Sequence, residues 1–365
     1  MILFLYISRR FLVMTGIVAL AFFGILLLID MIEQLRRFSR AGASLAEIFV
    51  LSLMHVPETF YRILPLLVII GAITLFLALA RSSELVVIRG AGCSGLRFLR
   101  APVAVAFLIG IVSVAVLNPL VAGTIRAYDD LRARYIADNQ SVLSISDSGL
   151  WLRQGDPDGQ TVIQAHHANF DGTRLSGVMF LTFDQGGMPV TRVHAGMAEL
   201  ISGGWKLKDA RFWNLTAENP EQDAADWADG TMIPSDLTPE KIRDGFGTPT
   251  AVPIWQLPSY IRDLEQAGFT ARSYRLWLQM ELALPFLFAA MVLVAACFTM
   301  RHVRSGRAAL RTLYAVLAGF TLFFLRNFAQ ALGDSGQIPI ILAAWTPPIV
   351  ALLLALGFLL HLEEG

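Results

Sequence analysis

Residues 101–125, APVAVAFLIGIVSVAVLNPLVAGTI, form an uninterrupted run without a single charged side chain. An α-helix rises about 1.5 Å per residue, and the hydrocarbon core of a bilayer is about 30 Å thick. A helix over this run is therefore long enough to cross a membrane. Arg126 follows immediately and marks the end of the run.

Five further segments of the same kind are present, so the sequence predicts six membrane-spanning helices in all. One of them is long enough only if it includes Arg326. A hydrophobic content of 55% and a charged content of only 16% also exclude an ordinary soluble protein. The five segments are 11–29, 63–80, 282–300, 312–332 and 335–362.

The placement of arginine predicts the orientation of these spans, because cytoplasmic loops of membrane proteins are rich in basic residues. If the N-terminus is inside, the inner segments carry many arginines and only Glu84, Glu363 and Glu364 in return. We therefore expect both termini in the cytoplasm and the long hydrophilic insert on the outer side. The inner arginines are Arg9, Arg10, Arg81, Arg89, Arg97, Arg100, Arg301, Arg304, Arg307 and Arg311.

The hydrophilic insert has the pattern of an all-β domain. Short segments that favour strands recur about every ten residues, separated by turn sequences such as Asp156-Pro157-Asp158-Gly159. This spacing predicts a sandwich or jelly roll of about 100 residues. The predicted domains are residues 1–126 with three spans, 127–258 with the β domain, and 259–365 with three more spans. The predicted strands cover 150–152, 161–163, 178–183, 190–193 and 205–208.

The charge and residue types of the insert argue against several functions. Between Arg126 and Arg272 there are 13 basic and 20 acidic residues, a local net charge of −7, which does not favour nucleic-acid binding. His166 and His167 are adjacent in a predicted strand and point to opposite faces, so they cannot easily bind one metal ion. We predict no catalytic residue, no metal site and no cofactor bound by this chain.

The chain also lacks a nucleotide-binding loop of its own. Its three lysines are Lys206, Lys208 and Lys241, and none follows a glycine, so the G-x-x-x-x-G-K-[ST] motif is absent. If the protein is an ATP-driven transporter, ATP and Mg²⁺ bind to another polypeptide. A secondary transporter is an alternative, although the two halves show no obvious repeat. A membrane-anchored periplasmic assembly protein is another, although six spans are excessive for an anchor.

Residues 82–92, between the second and third spans, predict a short cytoplasmic helix with an apolar body. Ser82 can cap its start, Glu84 suits its first turn, and Gly90 or Gly92 can end it. Two interpretations are open. The helix lies on the lipid interface, or it docks into a groove on a cytoplasmic partner, with Glu84 reaching a basic residue there.

This segment resembles the coupling helix of the LptF/LptG permeases of the lipopolysaccharide export transporter, through its S-E-L-V-V core and the following A-G. The order of parts is similar too, with three spans, an outer β-jelly-roll and three spans. The tract 175–215, which contains Gly204-Trp205-Lys206-Leu207, also looks like that domain. Gly336-Gln337-Ile338-Pro339 and Trp345-Thr346-Pro347-Pro348 are more similar to the LptG branch than to LptF.

The resemblance implies a bacterial inner-membrane permease that moves lipopolysaccharide from the membrane to a periplasmic bridge. It implies an LptF-type permease as heterodimer partner, or an LptG-type one if this chain is instead the LptF-type subunit. It further implies a dimer of LptB-type ATPases, an LptC-type single-span protein and an LptA-type bridge. ATPase motion would reach the permease through the coupling helix, for which we single out Ser83, Glu84, Leu85 and Arg89.

Arg36, Arg37 and Arg40 follow the first span on its outer side, after Asp30 and Glu33. A solvated helix end with local ion pairs is one interpretation. The other is binding of the lipopolysaccharide phosphates, because guanidinium groups suit bidentate contacts with phosphate. The resemblance implies the second, since basic residues of the family contact the ligand at these positions. Arginine here replaces the more familiar lysine.

Glu281 and Arg326 are charges within or next to predicted spans, where an ionisable residue is a functional candidate. Counted along helices that run in opposite directions, they lie at about the same depth below the outer surface. They either pair or face a central cavity that receives lipopolysaccharide. Snorkelling of Arg326 to the interface is the simpler alternative.

Overall fold

The computed structural model divides the chain into two compact units. The first contains residues 1–135, 250–255 and 272–365, and the second contains residues 136–249 and 256–271. Residues 259–271, which the sequence analysis grouped with the last three spans, thus group by their contacts with the second unit. The structure describes residues 2–39, 43–82, 84–90, 94–133, 143–146, 149–156, 159–168, 173–184, 186–201, 203–217, 219–235, 237, 248–266, 270–300 and 308–364.

Six helices of the first unit are long and apolar enough to cross a membrane, which confirms the predicted number of spans. The first five extend beyond their predicted segments at one or both ends, whereas the last begins at Ile340, five residues after its predicted start. The third span is continuous through a π-helical turn, Ser113–Leu117. The helices are α1 (Ile2–Phe38), α2 (Leu45–Arg81), α4 (Gly95–Val112) with α5 (Asn118–Ala133), α7 (Arg272–Thr299), α8 (Ala308–Asp334) and α9 (Ile340–Glu364).

The start of α2 and the short helix after it follow from local capping. Ser44 and Glu47 form a capping box, in which the Ser44 hydroxyl accepts a hydrogen bond from the Glu47 N–H. At the other end Ser82 is the C-cap of α2. The predicted role of Ser82 as the cap of the next helix is therefore wrong. That helix, α3, spans Glu84–Gly90.

The core of the first unit is centred on α2 and α7. In the most apolar stretch of 18 residues in each helix, 61% of the residues are buried in α2 and 78% in α7. The corresponding share in α1 is only 6%. Gly110 on α4 lets that helix approach closely, since a Cβ there would lie 2.5 Å from the Pro285 Cα on α7. The outer position of α1 leaves most of its surface free for lipid or for another membrane helix.

The second unit contains an antiparallel sheet of eight strands, and each predicted strand lies within one of them. Strands β1 to β7 are neighbours in chain order, and β8 pairs with β6. The described residues thus form a meander, the simplest result of short turns between successive strands. The strands are Leu143–Ser146, Gly149–Asp156, Gly159–Ala168, Arg174–Asp184, Pro189–Ile201, Gly204–Asn214, Ala225–Trp227 and Met232–Pro234.

One face of this sheet is apolar and buried. Leu150 and Leu152 on β2 and Ile163 and Ala165 on β3 alternate with less buried residues, as the pleat of a strand requires. Trp205 on β6 is fully buried. The helix α6, Leu257–Gln266, completes the unit.

Candidate functional site

Glu281 is fully buried within the first unit although it carries a carboxyl group. It lies on α7 and accepts a hydrogen bond from the Tyr61 hydroxyl on α2. Arg326 on α8 is 8% exposed and lies close enough to Glu281 for their charges to interact, although the two side chains form no direct ion pair. The two charges that the sequence singled out therefore lie in one buried group, with Tyr61 as the direct hydrogen-bond donor to the carboxylate.

Asn118, at the start of α5, completes this buried polar cluster of Tyr61, Asn118, Glu281 and Arg326. Its side chain lies beside Tyr61, and both residues line one small cavity. Its Oδ1 also accepts a hydrogen bond of 2.9 Å from the Ile254 N–H. The cluster joins four helices and the segment 250–255, so it fixes their relative positions within the first unit.

The buried polar cluster compensates for charges that would be costly alone. Placing an acidic or basic side chain at the centre of a membrane helix costs about 2.5–3.5 kcal/mol on insertion scales. The hydrogen bond from the Tyr61 hydroxyl and the nearby Arg326 guanidinium offset part of that cost, and Glu281 Oε1 has no hydrogen-bond partner among the described residues. The arrangement favours a structural contact between α2, α7 and α8 over snorkelling of Arg326 to the interface.

A cavity beside Tyr61 and Asn118 is too small for the substrate path. Its volume is about 20 Å³, enough for a single water molecule but not for an acyl chain. Its remaining lining residues are Glu58, Arg62, Val121, Thr250 and Trp277.

The C-terminal end of α1 presents the predicted ligand-binding arginines. Arg36 is exposed and makes no hydrogen bond or ion pair with any residue that the structure describes. Arg37 forms an ion pair of 2.8 Å with Glu33, one turn earlier, and both side chains are about half exposed. Such pairs stabilise a helix by only about 0.3–0.5 kcal/mol. Arg37 can therefore exchange Glu33 for a phosphate at little cost.

Polar side chains just before these arginines attach α1 to its neighbours. Asp30 Oδ1 lies 2.6 Å from His55 Nδ1 on α2. Gln34 Nε2 lies 3.1 Å from the Tyr128 hydroxyl on α5. These contacts hold the last two turns of α1, so they position Arg36 and Arg37.

At the opposite end of α1, Glu84 of α3 meets residues of its own chain. Nη1 of Arg10 lies 2.8 Å from both Glu84 carboxylate oxygens, and the Tyr6 hydroxyl donates a hydrogen bond of 2.9 Å. The Ser82 hydroxyl lies 2.7 Å from Oε1. The Arg10 hydrogen bond, followed by that of Ser82, holds the pKa of Glu84 below its usual value. Glu84 is therefore ionised at neutral pH.

Some predicted residues fall where the structure gives no account of them. Ser83 and Arg40 lie outside the described residues. Leu85 and Arg89 lie in α3, but their side chains are likewise outside the described part. Their predicted roles in ATPase coupling and in lipopolysaccharide binding stay predictions.

The family model for the lipopolysaccharide export system permease LptF/LptG matches residues 5–361. The chain belongs to this family. The resemblance read from the sequence is thus confirmed over nearly the full length. Membership favours an export permease, which is a transporter and not an enzyme, over the secondary transporter and the anchored assembly protein.

Two relatives agree with the predicted similarity to the LptG branch. The lipopolysaccharide export system permease protein LptG of Haemophilus influenzae is 25% identical over 340 residues, covering 90% of this chain and 89% of the relative. LptG of Escherichia coli K12 is 24% identical over 340 residues, covering 92% and 91%. The similarity thus extends over both the membrane helices and the β unit of this permease.

The sequence analysis missed the uncharged and distant members of these clusters. Asn118 lies in an apolar stretch where a single polar residue gives little signal, and Tyr61 lies between Glu58 and Arg62, just before the predicted second span. Arg10 was counted only as an inner positive charge, yet it meets Glu84, 74 residues away. His55 precedes the predicted second span by eight residues and its partner Asp30 directly follows the predicted first span, so no predicted helix contained either residue.

We predict that Glu281 and Arg326 are energetically coupled. Glu281→Gln should destabilise the permease, because it leaves Arg326 without its counter-charge. Adding Arg326→Gln should restore part of the loss, with a coupling energy of about 0.5–3 kcal/mol. The free energy of unfolding, measured by titration with sodium dodecyl sulfate in mixed micelles, gives this double-mutant cycle.

The matched control is the more exposed pair Glu58 and Arg62, with an ion pair of 3.0 Å on one face of α2. The double-mutant cycle for Glu58 and Arg62 should give a coupling energy of at most about 0.5 kcal/mol. If the effects of Glu281→Gln and Arg326→Gln simply add, the two charges do not interact and Arg326 snorkels independently.

Proposed function

We propose that this chain is the LptG-type permease subunit of an ATP-driven lipopolysaccharide exporter. Family membership over residues 5–361 is the observation that carries the proposal. The two LptG relatives, similar along about nine-tenths of the chain, favour the LptG-type over the LptF-type subunit. In this role the chain binds lipopolysaccharide in the membrane and passes it to a periplasmic β-domain bridge.

The proposed assembly contains an LptF-type permease, a dimer of LptB-type ATPases, an LptC-type single-span protein and an LptA-type bridge protein. ATP and Mg²⁺ bind to the ATPases. The missing phosphate-binding loop in this sequence supports that division of labour. α3, with its acidic Glu84, is the proposed contact with the ATPase.

The proposed location is the bacterial inner membrane, with both termini and α3 in the cytoplasm and the β unit in the periplasm. The arginine-rich inner segments support this orientation. It places Arg36 and Arg37 at the outer surface, where lipopolysaccharide leaves the membrane. The acyl chains also need an apolar path outside the bilayer. The apolar face of an antiparallel sheet can provide such a path.

In the proposed cycle, Arg36 and Arg37 bind the phosphates of the lipopolysaccharide head group, with Arg40 beside them in the sequence. The exposed guanidinium of Arg36 supports this role, as does the weak ion pair of Arg37. Arg326 is a second candidate for a lipid phosphate if its interaction with Glu281 opens during the cycle.

The assembly is tested by affinity purification of the tagged chain from its native membrane in mild detergent. We expect recovery of an LptB-type ATPase together with a second six-span permease, identified by mass spectrometry. A tagged six-span protein of another family, expressed at the same level, is the control. A stable homodimer without an ATPase would contradict the proposal.

The head-group site is tested by the double charge reversal Arg36→Glu and Arg37→Glu. Crosslinking of lipopolysaccharide to the C-terminal end of α1 should fall by about tenfold or more, since each charged hydrogen bond contributes about 1.5–3 kcal/mol. Recovery of the assembled complex should not change. A photoreactive side chain at Leu35 reports the crosslinking.

The matched control is the double replacement of the same two residues by lysine, which keeps both charges. It should retain more crosslinking than the glutamate variant, because both positive charges are kept although lysine cannot make the bidentate contacts of arginine. Unchanged crosslinking in the glutamate variant would show that the arginines form only a solvated helix end.

A further inference from the structure

The contact between the N-terminal part of α1 and α3 is a built polar cluster rather than a chance surface pair. Arg10, Tyr6 and Ser82 all meet the Glu84 carboxylate, at distances of 2.7–2.9 Å. Arg10 also lies 2.6 Å from the Tyr6 hydroxyl and stacks on the Tyr6 ring at 5.7 Å. The Arg10 and Glu84 side chains are 23% and 32% exposed, so solvent screens the pair only in part.

The position of α3 depends on such a contact. A helix of only seven residues is too short to be stable by itself. Ile88 packs against the helical core of the first unit, but Val87 is 71% exposed. Among the described side chains of α3, the carboxylate of Glu84 supplies a further attachment, to Tyr6 and Arg10 of α1 and to Ser82 at the end of α2.

α1 is well suited to carry a displacement from one end to the other. It is a single helix of 37 residues with no proline, whereas α2, α4, α7 and α9 each contain at least one. Proline is the usual cause of a helix bend, so α1 lacks that source of flexibility. Arg10 and Arg36 are 26 residues apart, or about 40 Å along the helix axis.

Both ends of α1 carry polar contacts, while the long stretch between them is little buried. Near the C-terminal end these contacts are Asp30 with His55 and Gln34 with Tyr128. At the other end the contact is Arg10 with Glu84. A shift of α3 thus acts directly on the helix whose far end holds Arg36 and Arg37.

We propose that Arg10 is a positioning residue of the transport cycle, which links α3 to α1 and so to the head-group arginines. The proposal rests on the proposed function, because it takes ATPase motion at α3 as its input. It adds that the Glu84 carboxylate is held by its own chain and transmits force within the subunit. Arg10 itself contacts neither nucleotide nor lipopolysaccharide.

The first test needs no transport and uses the purified chain in detergent. Hydrogen exchange of the α3 amides should speed up about fivefold in Arg10→Ala, as expected when a partly exposed ion pair is lost. Arg10→Lys should restore at least half of the protection. The control is Arg9→Ala, which removes the neighbouring exposed arginine and should leave the exchange of α3 unchanged. Unchanged exchange in Arg10→Ala would overturn the proposal.

The second test uses the complete complex with its ATPase in proteoliposomes, and measures lipopolysaccharide released per ATP hydrolysed. Arg10→Ala should hydrolyse ATP within about twofold of wild type but release about fivefold less lipopolysaccharide per ATP. Arg10→Lys should recover most of the release, and Arg9→Ala should match wild type. A purely structural role for Arg10 would lower hydrolysis and release together.

The two proposals fail in different ways. If Arg10→Ala releases as much lipopolysaccharide per ATP as wild type, the linking role is overturned and the permease function stands. The same conclusion follows if hydrolysis and release fall in proportion. A wild-type complex that shows no ATP-dependent release contradicts the proposed function itself. In that case the exchange of α3 still decides whether Arg10 positions this helix.

Discussion

The first unit depends on one constraint, which is that a polar group inside it cannot exchange its partner for water. Glu281 is fully buried; it accepts a hydrogen bond from the Tyr61 hydroxyl, beside Asn118, and lies near the charge of Arg326, while its Oε1 has no hydrogen-bond partner among the described residues. Because these residues lie on α2, α5, α7 and α8, the compensation also fixes where the four helices stand. Replacing one partner leaves the others unsatisfied, so the group acts as a unit.

α1 contrasts with this fixed centre. Only 6% of its most apolar window is buried, and polar side chains attach it to its neighbours near both ends. α1 also packs on the apolar core near its N-terminal end, through Ile7 and Phe11. The proposed route from α3 to the head-group arginines therefore runs along a helix whose fixed contacts lie mainly near its two ends.

The spans and strands were predictable because each depends on a local pattern. A charge-free run of about 20 residues has essentially one solution in a membrane, and alternating residues between turns predict strands. The order of the strands was not predictable, since pairing is decided between segments. The hydrogen-bond donors that meet Glu84 and Glu281 were missed for the same reason, although Arg326 was considered as a partner of Glu281. Arg10 and Tyr61 are 74 and 220 residues away from them, and no local pattern joins such pairs.

The central claim is that this chain turns ATP hydrolysis by a partner into extraction of lipopolysaccharide. The most direct measurement is reconstitution of the complete complex in proteoliposomes that contain lipopolysaccharide, with a soluble periplasmic β-domain acceptor outside. We predict that lipopolysaccharide appears on the acceptor only when ATP and the ATPase are both present. Equal transfer without ATP, or no transfer by a fully assembled and hydrolysing complex, would contradict the account.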